Sequence, residues 1–467
     1  MTFRILFFVL LAHLALAANA AKNRPNVLVI LLDDAGYNDF GFMGSQQILT
    51  PNMDKLAASG MTFSDAHLSG TTCSPSRAGI MTGRYQQRFG YHNNVPPHGS
   101  GLDPAESTMG DAFQASGYKT YYIGKWHLGS VEKYFPNNRG FGEFYGLLEG
   151  SRSYFPAKED VPGGTKAIQH NGEFLKWEGY LTELFTEAAL DYLEDAQEEP
   201  FFMFLSYTAP HGPMHAKAEH LEKFKGHPRA KLASMFWSAD EGVGQVLAKL
   251  DALKLRENTL IFLLSDNGGA EANQSNNAPL KGYKGSKFEG GHRTPFVMSW
   301  PGKIPANSKF DGLISAMDLY PTAAAAAGVS TTLGKPLDGV NLLPYVNGEA
   351  SGDPHAMLFW HRSVEDGVRA GDFKLVGHEA HGWRLYNLEK DIGEANDLFK
   401  QHPELTEQLL QQLSEWKQQH TEPQWPGSAI WNKVKKEEYR ALMNHQEPLY
   451  KSPQAMKKYL KAHPEAE

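Results

Sequence analysis

The chain contains a single cysteine, Cys73, in the run Cys73-Ser74-Pro75-Ser76-Arg77, which continues as Ala78-Gly79-Ile80-Met81-Thr82-Gly83-Arg84. A proline two residues past the cysteine suits the first turn of a helix, so Cys73 is expected at or just before a helix N-terminus. Free backbone N–H groups and the helix dipole favour an anion there, whether a thiolate or a bound anion. Arg77 follows one turn later and can face the same pocket. One cysteine allows no internal disulfide, so its side chain is either a small buried hydrophobe or a thiol kept for its reactivity.

Other chemically capable residues follow short apolar runs. Asp33-Asp34 follows residues 27–32, Lys125-Trp126-His127 follows 120–123, His211 follows 201–205, and Asp266-Asn267 follows 260–264. These runs read as buried strands, with helical patterns between them at 52–59, bounded by Pro51 and Gly60, and at 181–196. Alternation of this kind predicts an α/β fold with a large, mainly parallel sheet flanked by helices. Ligands of such sheets bind beyond the carboxyl ends of the strands, so all four groups are expected at one edge. Singly, each has a plainer reading: Asp and Asn cap helices and make turns, lysines sit solvated on surfaces, and histidines satisfy cores. Four in register favour a shared site.

Near residue 350 the pattern changes. Residues 372–376 and 383–388 alternate like strands of a small antiparallel sheet, and 403–418 reads as an amphipathic helix. The division expected is a leader over 1–20, a catalytic α/β unit over 21–350 and a C-terminal subdomain over 351–467. The stretch from Gln424 on, rich in Lys, Glu and Pro, is expected to wrap the surface or to be partly disordered.

Arg4, an apolar stretch over 5–18 and Ala18-Asn19-Ala20 have the layout of a cleavable signal peptide. The stretch is shorter than the roughly 20 residues that span a bilayer. A soluble, exported protein beginning near Ala21 is expected, in the periplasm or secreted, with no membrane anchor and, lacking a cysteine at the cleavage point, no lipid. Loss of Arg4 takes the formal net charge from −8 to −9, and there is no long Lys/Arg run, so nucleic acid is a poor partner.

The stretch from Cys73 to Arg84 resembles the signature of type I formylglycine-dependent sulfatases, Cys-x-Pro-x-Arg followed by Ala-x-x-x-Thr-Gly-Arg. The likeness runs from Pro25 into the C-terminal subdomain. It implies an alkaline-phosphatase-like fold that hydrolyses a sulfate ester, with Cys73 oxidised before folding by a formylglycine-generating enzyme. It also implies one calcium ion on Asp33, Asp34, Asp266, Asn267 and the side chain at 73, an all-oxygen set that suits a hard cation. The family's basic residues fall on Arg77, Lys125, His127, His211 and Lys284. Lys284 is preferred to Lys281 and Lys287 because it precedes Gly285-Ser286-Lys287-Phe288-Glu289-Gly290-Gly291. The resemblance gives His211 the leaving alcohol to protonate and His127 the proton of the second formylglycine hydroxyl, while Arg77, Lys125, Lys284 and the metal offset negative charge.

Arg84 to Gly90 and Pro210 to Ala216 look like bacterial carbohydrate sulfatases, which implies a sulfated polysaccharide or oligosaccharide. His92, Asn93, His215, His292 and Arg293 lie close in sequence to the catalytic set and are expected to line a sugar subsite, unless they are ordinary loop polarity. Three rivals stand beside this reading. A phosphate or phosphonate ester hydrolase of the same superfamily would favour a transition metal with more His ligands. A carbohydrate-binding pseudoenzyme would need Cys73 unmodified. A Cys–His thiol hydrolase would leave the helix start and the metal ligands idle.

Overall fold

The computed structural model describes residues 24–96, 99–158 and 160–464; the leader expected over 1–20 lies outside the described residues. The four apolar runs are strands Asn26–Leu32, Lys119–Lys125, Phe201–Ser206 and Thr259–Ser265. They are buried almost throughout instead of alternating between core and solvent. That is the pattern of parallel strands covered on both faces.

These four are neighbours in the order Thr259–Ser265, Asn26–Leu32, Phe201–Ser206, Lys119–Lys125, and all three pairings are parallel. Beyond Lys119–Lys125 lie the parallel strand Glu143–Leu147 and a short antiparallel extension. Beyond Thr259–Ser265 lies antiparallel Phe296–Ser299, then Met61–Phe63 and Ser308–Phe310, completing ten strands.

Because successive side chains leave a strand on opposite faces, each strand feeds two cores. Val27, Val29, Leu31, Phe202 and Phe204 pack with Ile80, Phe113 and Ala323, from helices Cys73–Thr82, Met109–Ala115 and Leu319–Ala327. Leu28, Ile30, Leu32, Met203 and Leu205 pack with Leu56, Phe185, Phe236 and Val243, from helices Pro51–Ala58, Leu181–Asp195 and Ala230–Ala252.

A second sheet, antiparallel in the order Met357–Arg362, Glu365–Ala370, Phe373–His378, Gly382–Asn387, carries helix Pro403–Lys417, whose Leu409 packs on Val368, Leu375 and Leu385. From residue 424 on, the chain forms helices Ala429–Met443 and Pro453–Ala462. Tyr439 and Met443 anchor the first of these on Phe288, Val376 and Tyr386. No helix among the described residues is long and apolar enough to cross a membrane.

Candidate active site

Helix Cys73–Thr82 begins at Cys73 itself, with Thr72 in extended geometry before it. The Cys73 side chain is buried below the ends of the central strands, with Sγ 3.5 Å from Asp33 Oδ1 and 3.9 Å from Asp34 Oδ1, and Lys284 Nζ 2.8 Å away. Burial and Asp266 push this thiol up, but Lys125 and Lys284 outweigh them and bring it down to about 7. Position 73 is therefore built to hold negative charge.

Three carboxylates surround it. Asp33 and Asp34 follow the first strand and Asp266 follows Thr259–Ser265, which pairs in register with it, so the two strand ends coincide. Each carboxylate meets a cation: Lys125 Nζ lies 2.5 Å from Asp33 Oδ2, Lys284 Nζ 2.5 Å from Asp34 Oδ1, and Arg77 Nε 2.8 Å from Asp266 Oδ2. Burial nevertheless raises Asp33 and Asp266, against Lys125 and Arg77 respectively. Asp34 moves the other way: burial is outweighed by Lys284, His211 and the Asn267 amide.

Asn267 donates through Nδ2 to Asp34 at 2.7 Å, while its Oδ1 is buried without a hydrogen-bond partner. An orphaned amide oxygen beside three buried carboxylates is the donor set a hard divalent cation satisfies. Asp33, Asp34, Cys73 and His211 each offer a ligand atom within 4.8 Å of the others. The residues fit such a cation.

The basic groups are fixed by backbone as well as by charge. Arg77 Nη1 donates to the Lys125 carbonyl at 2.7 Å and to Ser206 Oγ at 2.6 Å, which ties three elements together beneath the thiol. Asp34 and His127 both have positive φ, 63° and 58°, a costly conformation for residues other than glycine. Each lies just past a strand, so the sharp turn brings it back over the strand end.

His211 Nδ1 donates to the Gly212 carbonyl at 2.6 Å, which leaves Nε2 facing Asp34 Oδ2 at 3.6 Å. Burial would lower this ring, yet Asp33 and Asp34 hold it up at about 9. Burial, Lys125 and Arg77 drive His127 well below its ordinary value, and its Nδ1 has no hydrogen-bond partner. The cluster thus pairs a protonated imidazole with a neutral one, as an acid and a base require.

The sequence-predicted metal and catalytic residues all converge here, whereas the expected sugar-subsite residues scatter. His292 is fully buried, stacked on Trp360, with Nδ1 3.0 Å from His67 Nδ1. Arg293 is held by Asp65, Glu289 and the Ser64 carbonyl. Both brace the two sheets against each other, so neither offers a surface to a sugar. His92 bonds the Thr421 carbonyl and Asn93 the Trp425 carbonyl, again inside packing against the C-terminal segment. Only His215 of the five is exposed, with Nδ1 3.3 Å from Ser153 Oγ.

Two contributors escaped the sequence reading. Ser206 ends a strand and orients Arg77. Lys435, in the tail, donates to the Lys284 carbonyl at 2.9 Å. Nothing local in sequence marks either; only the register of Phe201–Ser206 beside Lys119–Lys125 would have suggested the first.

Comparison with known proteins bears on the family. The sulfatase family model matches residues 25–329, and a model described as N-sulphoglucosamine sulphohydrolase, C-terminal, matches 284–419. N-acetylgalactosamine-6-sulfatase of Canis lupus familiaris is 31% identical over 411 residues, covering 83% of this chain and 77% of that one. A sulfatase of Escherichia coli (strain K12), YdeN, is 30% identical over 425 residues, covering 77% of this chain and 74% of that one. Among solved structures, Ps i-CgsB aligns with TM-score 0.83 and 34% identity over 90% of this chain and 98% of that one, and it is also known in complex with k-i-k-neocarrahexaose.

Proposed function

The chain belongs to the sulfatase family and is a sulfuric ester hydrolase, and from that premise we propose that it removes sulfate from a saccharide with residue 73 as formylglycine and calcium on Asp33, Asp34, Asp266 and Asn267. The observation that carries this reading is the lone Cys73 side chain at a helix start, within 2.8 Å of Lys284 and beside two carboxylates. Such crowding of charge is costly around an ordinary buried thiol.

As a formylglycine hydrate, residue 73 would carry two hydroxyls on one carbon, one to attack sulfur and one to let sulfate leave, and the calcium would supply Lewis-acid polarisation at that carbon's oxygen. The chain's own side chains do the rest. Lys125, Lys284 and Arg77 offset the charge of the sulfuryl group as it transfers. His211, held protonated by Asp33 and Asp34, gives the Nε2 proton to the leaving alcohol. His127, kept neutral, takes the proton from the second hydroxyl.

A saccharide ester agrees with the relatives: one is named for N-acetylgalactosamine 6-sulfate and the Ps i-CgsB structure holds a neocarrahexaose. Co-expression with a formylglycine-generating enzyme, followed by assay of sulfate release from a panel of sulfated oligosaccharides, tests the proposal. Release is expected only from protein whose Cys73 peptide is lighter by the exchange of SH2 for O; full release from wholly unmodified protein would overturn it. Export is part of the same reading, supported by the apolar stretch over 5–18, and N-terminal sequencing should find the mature chain starting near Ala21.

A further inference from the structure

Asp34, His211 and Lys284 form one end of a cavity of about 740 Å3. Since His211 is there to protonate the leaving alcohol, this cavity is where the rest of that alcohol must lie. Its far wall is built by the tail: Trp431, Lys435, Glu438 and Leu442 of helix Ala429–Met443, then the loop up to Lys451. This helix lies beyond residue 419, where the second family match ends.

The helix is fixed to the catalytic loop at two points. Lys435 donates to the Lys284 carbonyl at 2.9 Å, and the Lys287 N–H donates to Tyr439 Oη at 2.8 Å. On this rigid mount Trp431 is 46% exposed, the largest apolar side chain lining the cavity. An indole held open on the far wall of a cavity that ends at the catalytic residues presents a flat apolar face with a donor at its edge, the surface on which a pyranose ring stacks.

The charges of this wall select further. Lys435 pairs with Glu438 at 2.6 Å, and Lys451 pairs with Glu271 and with Glu447. Apart from Lys284 and His211, both held by Asp34, the lining therefore has two lysines against three glutamates, and both lysines are already paired with those glutamates. A second sulfate or a carboxylate on the leaving sugar would meet no free cation there and would face acidic groups.

Building on the saccharide-sulfatase reading above, we propose that Trp431 is the stacking platform of the leaving-group subsite, and that this subsite takes an uncharged sugar ring. Kinetics on two sulfated oligosaccharides test this, one with a neutral hexose on the leaving-group side and one with a hexuronate there, with 4-nitrophenyl sulfate as a third substrate.

Wild type should favour the neutral oligosaccharide by at least about tenfold in kcat/KM. Trp431→Ala should lower that value by about tenfold more than it lowers the value for 4-nitrophenyl sulfate, mostly through KM, and Trp431→Phe should recover most of the loss. Equal losses on the two substrates, a Phe variant as poor as Ala, or a preference for the hexuronate would overturn the subsite proposal alone. Turnover of 4-nitrophenyl sulfate with neither oligosaccharide cleaved would overturn the saccharide reading and this proposal together.

Discussion

At residue 73 the surroundings act on whatever group the side chain carries, and two substitutions separate its chemistry from its packing. Cys73→Ala removes the nucleophile without removing a cation or carboxylate, so turnover should vanish while the fold persists by circular dichroism. Cys73→Ser supplies one hydroxyl in place of two; it should accept sulfate once, fail in steady state, and show by mass a serine peptide heavier by one SO3. Multiple turnover by the Ser variant would remove the need for an aldehyde hydrate. His211 makes a second prediction at this scale. A sugar alcohol leaves poorly without a proton and a nitrophenolate leaves well, so His211→Ala should cost on the order of a hundredfold more on a sugar sulfate than on 4-nitrophenyl sulfate. Similar losses on both would take the general-acid role away from it. Cys73 was readable as the lone cysteine before Pro75, and most of its partners because each follows an apolar run or sits one helical turn from it, whereas Lys284 was placed only by the resemblance of the motif that follows it.

At the scale of elements, two glycines let the strands carry their cargo. Gly124 has φ of 99° and pairs with Ser206 on one side and Gly146 on the other; a Cβ at 124 would strike the Ser206 carbonyl oxygen, and one at 146 the Gly124 carbonyl. The next residue, Lys125, turns into the site, its carbonyl taken by Arg77. Gly124→Ala should therefore destabilise by more than about 2 kcal/mol, measured by denaturant unfolding, and should depress turnover in the folded fraction because Lys125 shifts. Wild-type stability would show the close approach to be dispensable. A second element junction responds to pH. His92, His361 and His420 pack ring to ring where residues 86–92 meet the C-terminal sheet and the end of its helix. Burial, with His361 and His92, drives His420 down to about 3, and burial lowers His92 as well. Both rings are thus held neutral in the fold and take up protons on unfolding. Their contribution is complete above the unfolded value of about 6.5 and is lost as pH falls from there toward about 3. The melting temperature should drop with acidification over that window, and His420→Gln should flatten the slope; an unchanged slope in the variant would clear His420. The strands were legible because a buried parallel strand is an uninterrupted apolar run. The tail helices were not legible as helices, because the apolar residues of Ala429–Met443 stand at its two ends around a Lys/Glu-rich middle, and Tyr439 and Met443 find partners only in Phe288, Val376 and Tyr386, far away in sequence.

Across the whole molecule, two clusters of opposite charges do different work. One joins the sheets: Lys374 of the small sheet reaches Glu289 at 2.7 Å and Glu394 at 3.0 Å, and Asp65 holds Arg293 at 3.0 Å and Arg369 at 3.3 Å. His292 and Arg293 belong to this joint, and sequence nearness to Lys284 could not reveal it, since helix Glu289–His292 carries them away from the loop at 284 to Lys374 and Asp65. His67, Glu289 and His292 gather ligand-type atoms there too, but Lys374 Nζ sits 2.7 Å from Glu289 and 3.2 Å from His292 Nε2 and supplies the cation itself. The other cluster gathers Asp33, Asp34 and Asp266 from two adjacent strand ends in the middle of the large sheet, with Lys125, Lys284, Arg77 and the protonated His211 beside them and an Asn267 oxygen left over. Burial raises Asp33 and Asp266, which means that folding costs free energy there that a divalent cation would return. Because such a cation binds the folded chain and not the unfolded one, stability should rise with its concentration as RT ln(1 + [L]/Kd), about 2.7 kcal/mol at a hundredfold excess over Kd. Chelator treatment should lower the melting temperature, calcium should restore it, and Asp266→Asn should abolish the calcium-dependent part even if the variant remains folded. Metal analysis of untreated protein should then find close to one calcium per chain; stoichiometric zinc, or a melting temperature indifferent to chelator and calcium alike, would show that Lys125, Lys284, Arg77 and His211 alone balance these carboxylates.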